Sequence, residues 1–168
     1  QQNYTHLQLK HLLSGDLDLC LMAKMDVPKP IRWTELWRDE LYVIVPSDHP
    51  LAKRNSISMN ELKHESFVLM KQGYALRLQA DALFENADFT PHITFEGDEV
   101  STVAGFVIAG LGVSILPDGL EINQKGISKI HITDTHAERI IGMAWSEGRY
   151  LSPAAKAFKN FIFDYFDN

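Results

Sequence analysis

Apolar positions along this chain fall into runs that switch between the periods of helix and strand. Thr5-His6-Leu7-Gln8 has the spacing of a capping box and predicts a helix over about 6–13, closed by Gly15. Asp16-Leu17-Asp18-Leu19-Cys20-Leu21-Met22 alternates and then becomes continuously apolar, which predicts a strand. Residues 26–39 hold Pro28, Pro30 and scattered charges, and read as a loop with a short extended piece at 31–33. Leu41-Tyr42-Val43-Ile44-Val45 is apolar on both faces, as strands of parallel sheets are when helices cover each side. A second capping box, Ser58-Met59-Asn60-Glu61, predicts a short helix ending near Lys63. Strands at 67–70, 92–95 and 113–116 then alternate with helices at 75–86 and 100–109, the latter closed by Gly110-Leu111-Gly112. Two further strands, 127–132 and 138–145, precede a helix that Ser152-Pro153 starts and that carries Phe158, Phe161, Ile162, Tyr165 and Phe166 along one stripe. This alternation predicts an α/β fold with mostly parallel sheets flanked by helices.

Composition narrows the picture. The chain has 168 residues, 45% of them hydrophobic and 23% charged, which excludes a disordered chain and allows one medium domain or two small lobes. Sixteen Lys and Arg against 22 Asp and Glu leave a net charge of −6 with no basic cluster, a poor match to a duplex that binds through phosphate neutralisation. A single cysteine, Cys20, excludes an intramolecular disulfide and reads as a buried thiol. No apolar run approaches a membrane span, and Gln1-Gln2-Asn3-Tyr4 has no signal-peptide character, so the expected location is the cytoplasm with no membrane partner. With no initiator Met, the chain is read as processed, tagged and cut, or a piece of something longer.

No catalytic site, metal site or cofactor motif is expected from the spacing of the candidate residues. His6 and His11 stand five apart, as do His131 and His136, which is not the one-turn spacing of helical zinc ligands. There is no Gly-x-Ser-x-Gly elbow or phosphate loop, and Gly110 and Gly112 lack the rest of a dinucleotide fingerprint. Asp98 and Glu99 read as acids at a helix start. What remains is a set of helix starts at Thr5, at Gly73-Tyr74 and at 97–102. In open α/β sheets such amides, set at the carboxyl ends of strands, accept polar or anionic ligands without any catalytic residue.

Several segments in order, Leu12-Leu13-Ser14-Gly15-Asp16-Leu17-Asp18-Leu19, Glu40-Leu41-Tyr42-Val43-Ile44-Val45-Pro46, His49-Pro50-Leu51-Ala52, Ile57-Ser58-Met59-Asn60-Glu61-Leu62, and Val107-Ile108-Ala109-Gly110-Leu111-Gly112-Val113-Ser114-Ile115-Leu116-Pro117, are followed by Ser152-Pro153. In this order they resemble the effector-binding domain of LysR-type transcriptional regulators, which has the type 2 periplasmic-binding-protein fold. The resemblance implies two α/β lobes joined by two crossover segments, with a small-molecule cleft between them. Lobe one would comprise 1–39 plus 134–168 and lobe two 40–133, with crossovers near Asp39-Glu40 and Thr133-Asp134. The family's DNA-binding winged helix-turn-helix is absent from the chain, as are the strand, helix and strand that open lobe one. A cleft that lacks part of one wall would bind its effector weakly or not at all.

The resemblance also implies effector-binding positions. Thr5 matches a hydroxyl at a helix start, while Ala23 stands where some relatives carry an effector-pairing Arg, with Lys24 as a weaker substitute. Tyr74, Ala75 and Leu76 match a loop that closes over the ligand, with Arg77 one step on, and Asp98 and Ser101 match a helix start facing the cleft. Gly15 and Asp18 read as structural. A homodimer, tetrameric in the intact regulator, would use the helix at 5–13 and the helix at 75–86. Alternatives are a solute-binding protein that delivers ligand to a transporter, and a cleft enzyme such as a dehydratase or deaminase, for which Glu99 and Lys24 are the available acid and base.

Overall fold

The computed structural model describes residues 5–118 and 126–166. The chain divides into two compact units, Gln1–Arg38 with Arg139–Asn168, and Asp39–Glu138. The chain passes between them twice, at Arg38 and at Glu138. Residues 134–138 therefore fall in the second unit: both Asp134 carboxylate oxygens accept from the Met59 amide, at 3.1 and 3.0 Å, and the Leu41 amide donates to Ala137 O.

In the first unit, α1 (Thr5–Ser14) packs on β1 (Leu19–Ala23), which pairs antiparallel with β8 (Glu138–Ser146); β8 in turn neighbours β2 (Ile31–Pro46). Leu9, Leu12, Cys20, Met22, Ile31 and Ala144 form the core here. Thr5 is itself helical and buried, and the Gln8 amide donates to Leu21 O of β1 rather than closing a box at the helix start. Arg149 finishes α1, its two terminal nitrogens donating to Leu12 O and Leu13 O at 3.2 and 3.3 Å, two carbonyls that the helix end leaves open. Gly15 follows at φ +87°, a left-handed conformation that side-chain-bearing residues rarely adopt, and it leaves room for the Arg149 guanidinium. Asp18 is structural as expected: it accepts from Ser152 Oγ, which in turn caps α4 (Pro153–Phe166) by accepting from the Ala155 amide.

The stripe predicted on α4 divides. Phe166 stacks on Trp37, while Phe163, outside that stripe, meets the Trp145 ring edge-on, with Lys159 3.4 Å from the centre of the same ring. Phe158, Phe161 and Tyr165 stand exposed, and none of the helix's described residues is buried.

The second unit holds the larger core. β2 runs between β6 (Ser114–Pro117) and β7 (Ile127–Ile132), antiparallel to both, while the short β3 (Ser56–Ile57) joins β7 in parallel. β4 (Ser66–Met70) pairs in parallel with β5 (His92–Gly97), and an isolated parallel bridge links Phe67 to Val113. The helices α2 (Ala75–Asn86) and α3 (Val100–Ile108) supply the crossovers. The ring of Phe67, fully buried, packs edge-on against Phe84 at 4.8 Å.

The α/β alternation expected from the sequence is present, but the pairing is more mixed than "mostly parallel". The apolar run at 41–45 is buried as predicted, yet its strand runs against both neighbours. Burial on two faces makes a strand continuously apolar whichever way its partners point. The expected loop at 26–39 is also corrected: from Ile31 onward it belongs to the 16-residue β2. Thr34, Glu35, Arg38 and Asp39 leave that stretch without a clean apolar alternation, which hides the strand. The capping box at Ser58 is real, with the Ser58 amide donating to Glu61 Oε2 at 2.9 Å, and it opens a 3-10 turn over Met59–Leu62. Gly112 is needed for close approach, since a Cβ there would meet Ser66 O at 2.5 Å.

Candidate functional site

Parallel β4 and β5 end side by side, with Met70 opposite Gly97, and each leads within a few residues into a helix. α2 begins at Ala75 after the cap position Tyr74, and α3 begins at Val100 after Glu99. Neither cap residue uses its side chain to satisfy the helix start. The unbonded amides of both first turns, with the positive ends of two helix dipoles, therefore gather at the carboxyl edge of this strand pair.

The two loops are tied together. Lys71 N donates to Gly97 O at 2.9 Å, and Lys71 Nζ pairs with Asp98 Oδ2 at 2.5 Å, both side chains being about half exposed. Asp98 is thus an ion-paired bridge between loops as well as an acid near a helix start. Tyr74 is partly buried and Ser101 exposed at this edge, whereas Leu76 is buried in the core.

Arg77 is buried, and protein groups already hold it. Its Nε donates to Asp81 Oδ1 at 2.8 Å, and its Nη1 donates to Met70 O at 3.1 Å and to Glu96 Oε1. Burial works against its charge, but the two carboxylates outweigh this and raise its pKa. In the first unit, Thr5 is buried at the start of α1, Ala23 is buried as the last residue of β1, and the exposed Lys24 donates its amide to Ile140 O at 2.8 Å. The structure thus gathers Tyr74, Ala75, Asp98 and Ser101 with Arg77 beneath them, and places Thr5, Ala23 and Lys24 in the other unit.

Lys71, Glu96 and Asp81 were not among the sequence candidates. The signal for Lys71 was its place directly after an apolar strand, where the carboxyl end of a parallel sheet opens. Asp81 stands four residues after Arg77 on a predicted helix, the spacing of an i,i+4 ion pair, whereas Glu96 gave no signal, because only the fold brings it to Arg77.

Other chemistry is sparse. Among the described residues no group of three His, Cys, Asp or Glu side chains could hold a metal ion. His11 lies 3.1 Å from Asp16, His131 2.5 Å from Glu40 and His49 3.4 Å from Glu65. Burial pushes the Cys20 thiol up to about 11, which disfavours the thiolate at neutral pH. No described helix is long and apolar enough to cross a membrane.

Comparison with known proteins gives a consistent family. The profile described as LysR substrate binding domain matches residues 1–167. An uncharacterised helix-turn-helix-type transcriptional regulator of Bacillus subtilis, YybE, is 51% identical over 99% of this chain and 57% of its own length. The dual regulator GltC of the same organism is 31% identical over 99% of the chain and 56% of its own length. The chain thus spans a little over half of these relatives. Among solved structures, the effector-binding domain of QuiR in complex with shikimate superposes with a TM-score of 0.91 at 28% identity, covering 99% of this chain and 79% of that one. The Synechocystis CcmR regulatory domain in complex with 2-PG has the same fold, with a TM-score of 0.86 at 20% identity, covering 99% of this chain and 81% of that one.

Proposed function

Because the chain belongs to the LysR substrate-binding-domain family, a non-enzymatic family of regulator domains, we propose that it binds a polar or anionic metabolite and relays its presence to a helix-turn-helix DNA-binding domain elsewhere in a cytoplasmic regulator. The observation that carries the ligand class is the meeting of the α2 and α3 starts at the ends of β4 and β5, bridged by the Lys71–Asp98 pair. A half-exposed ion pair is worth about 0 to 1 kcal/mol, so an incoming polar group displaces it at little expense. Once Lys71 is released, it and the helix amides favour a carboxylate or phosphate held away from Asp98. QuiR, 28% identical, has been solved in complex with shikimate, which supports a small polar ligand for this domain.

Contacts in this reading come from Tyr74, Ala75, Asp98 and Ser101 at the ends of β4 and β5, with Arg77 supporting them. The repeating unit is a homodimer, tetrameric in the intact regulator, formed through α1 and α2. Relay requires the metabolite to bind two states of the protein unequally.

We also infer that unit one is completed by further chain of the regulator. β1 lies at the end of its sheet, α4 buries none of its described residues, and a groove of about 490 Å³ beside β1 is lined by Leu17, Leu19, Cys20, Leu21 and Phe158 together with the polar Gln8, His11 and Asp16. Thermal-shift screening of this chain and of a longer piece of the regulator against a metabolite panel that includes shikimate tests both points. A hit is expected with the longer piece, and weaker binding or none with this chain. No hit with either defeats the ligand reading, and equal affinity in the two defeats the completion reading.

A further inference from the structure

Arg77 is an improbable residue for the third position of α2. A cation in the first turn opposes the helix dipole, and a buried guanidinium loses hydration that only close partners restore. Neither effect stabilises the helix, so the residue's value lies in what it connects. Its three acceptors sit on three elements: Met70 O on the last residue of β4, Glu96 one residue before the end of β5, and Asp81 one turn further along α2. Lys71 and Asp98, the paired residues at the loops, follow directly after Met70 and Gly97.

We propose that Arg77 is a positioning residue for the effector site: it touches no ligand, and its guanidinium clamps the ends of β4 and β5 to the first turn of α2, fixing the geometry of loops 71–74 and 98–99. The proposal deepens the reading that this edge takes the effector, and rests on it for its functional meaning. A planar fork suits the task because it holds its acceptors in fixed directions, which a lysine ammonium on a flexible stem does not. It also explains why Glu96 and Asp81 face Arg77 together: with one carboxylate alone, the clamp would tie the helix to itself or to β5, but not both.

Amide hydrogen exchange followed by NMR tests this without any ligand, so its outcome is independent of the metabolite screen. The variants are Arg77→Lys, Arg77→Met, and Arg77→Met combined with Asp81→Asn and Glu96→Gln, the last removing the clamp without leaving bare carboxylates. In both Met variants, exchange at Lys71, Leu78 and Val103, whose amides bond to Gly97 O, Tyr74 O and Glu99 O, is expected to rise about tenfold or more. Exchange at Val68 and Thr133, bonded to Val113 O and Ile57 O, is expected to stay within about twofold, and Arg77→Lys to restore part of the protection. A uniform rise across both sets would show that Arg77 supplies general stability only and would overturn the proposal. So would protection at Lys71, Leu78 and Val103 that the Met variants leave unchanged, or a failure of either Met variant to fold while Arg77→Lys behaves like it.

Discussion

Gly142 offers the sharpest test of the first unit's packing. It lies in β8 opposite Met22 of β1, and the Trp33 indole crosses it on the way to donating from Nε1 to Met22 O at 3.4 Å. A Cβ built at Gly142 would lie 2.3 Å from Thr34 O and 2.4 Å from the Trp33 ring. Ordinary carbon contacts need roughly 3.5 Å, so Gly142→Ala forces the β2 backbone or the indole to move by about 1 Å. Overpacking usually costs about 1–3 kcal/mol, and with a backbone carbonyl as one obstacle the upper end applies, about 3 kcal/mol. For a domain whose stability is about 5–15 kcal/mol that is a large fraction, and with a urea m-value of about 1–3 kcal/mol/M it lowers the midpoint by at least about 1 M. All three tryptophans, Trp33, Trp37 and Trp145, lie in this unit, so urea unfolding read by tryptophan fluorescence reports on it directly. Emission of the folded variant should also shift, because Trp33 must give way. A midpoint within about 0.3 M of the parent, with unchanged emission, would mean that the indole does not lie across Gly142 and would refute the packing argument.

Further outcomes follow from particular contacts. Arg149→Met should uncap α1 and lower stability by about 1 kcal/mol, seen as faster amide exchange in the last turn of α1; no change there would show that the two carbonyl bonds are not formed. The Asp16 carboxyl is held below the ordinary carboxylate range by the Ser14 hydroxyl and by His11. With its folded pKa depressed, its contribution is complete above the unfolded value and fades as pH falls through the folded one. Asp16→Asn should therefore flatten the acid limb of a stability-against-pH profile, and an unaltered limb counts against the pairing. Native Cys20 should resist alkylation by iodoacetamide at pH 8 and react once urea exposes it; equal rates in the two states would contradict its burial.

The elements were largely legible in the sequence because each carries a local cause. The spacing of Leu76, Leu83 and Phe84, the Ser152-Pro153 start and the glycines at 110 and 112 mark helix and turn without reference to the rest of the fold. The middle of β2 was hidden because its polar residues lack alternation, and strand direction was misread because continuous apolarity reports burial, not the sense of pairing. At the site, the helix starts could be read from the strand-then-helix order, and so could Tyr74 and Asp98 beside them. Of the partners of Arg77, Asp81 stands at a legible i,i+4 spacing, but Glu96 could not be read. Glu96 is 19 residues away in the chain and on a different element, and nothing in its immediate neighbours distinguishes a clamp from an exposed acid on an edge strand. The division of the α4 stripe was likewise illegible, since spacing shows that a face is apolar but not what covers it.

The central claim, that a polar metabolite is read at the ends of β4 and β5, is tested most directly by titrating a metabolite panel into the isotopically labelled effector-binding domain and following the backbone amide signals. A binding metabolite is expected to shift signals at 71–77 and 98–102 first, and Lys71→Met to weaken the response. A metabolite that binds tightly while leaving 71–77 and 98–102 unmoved would contradict that claim.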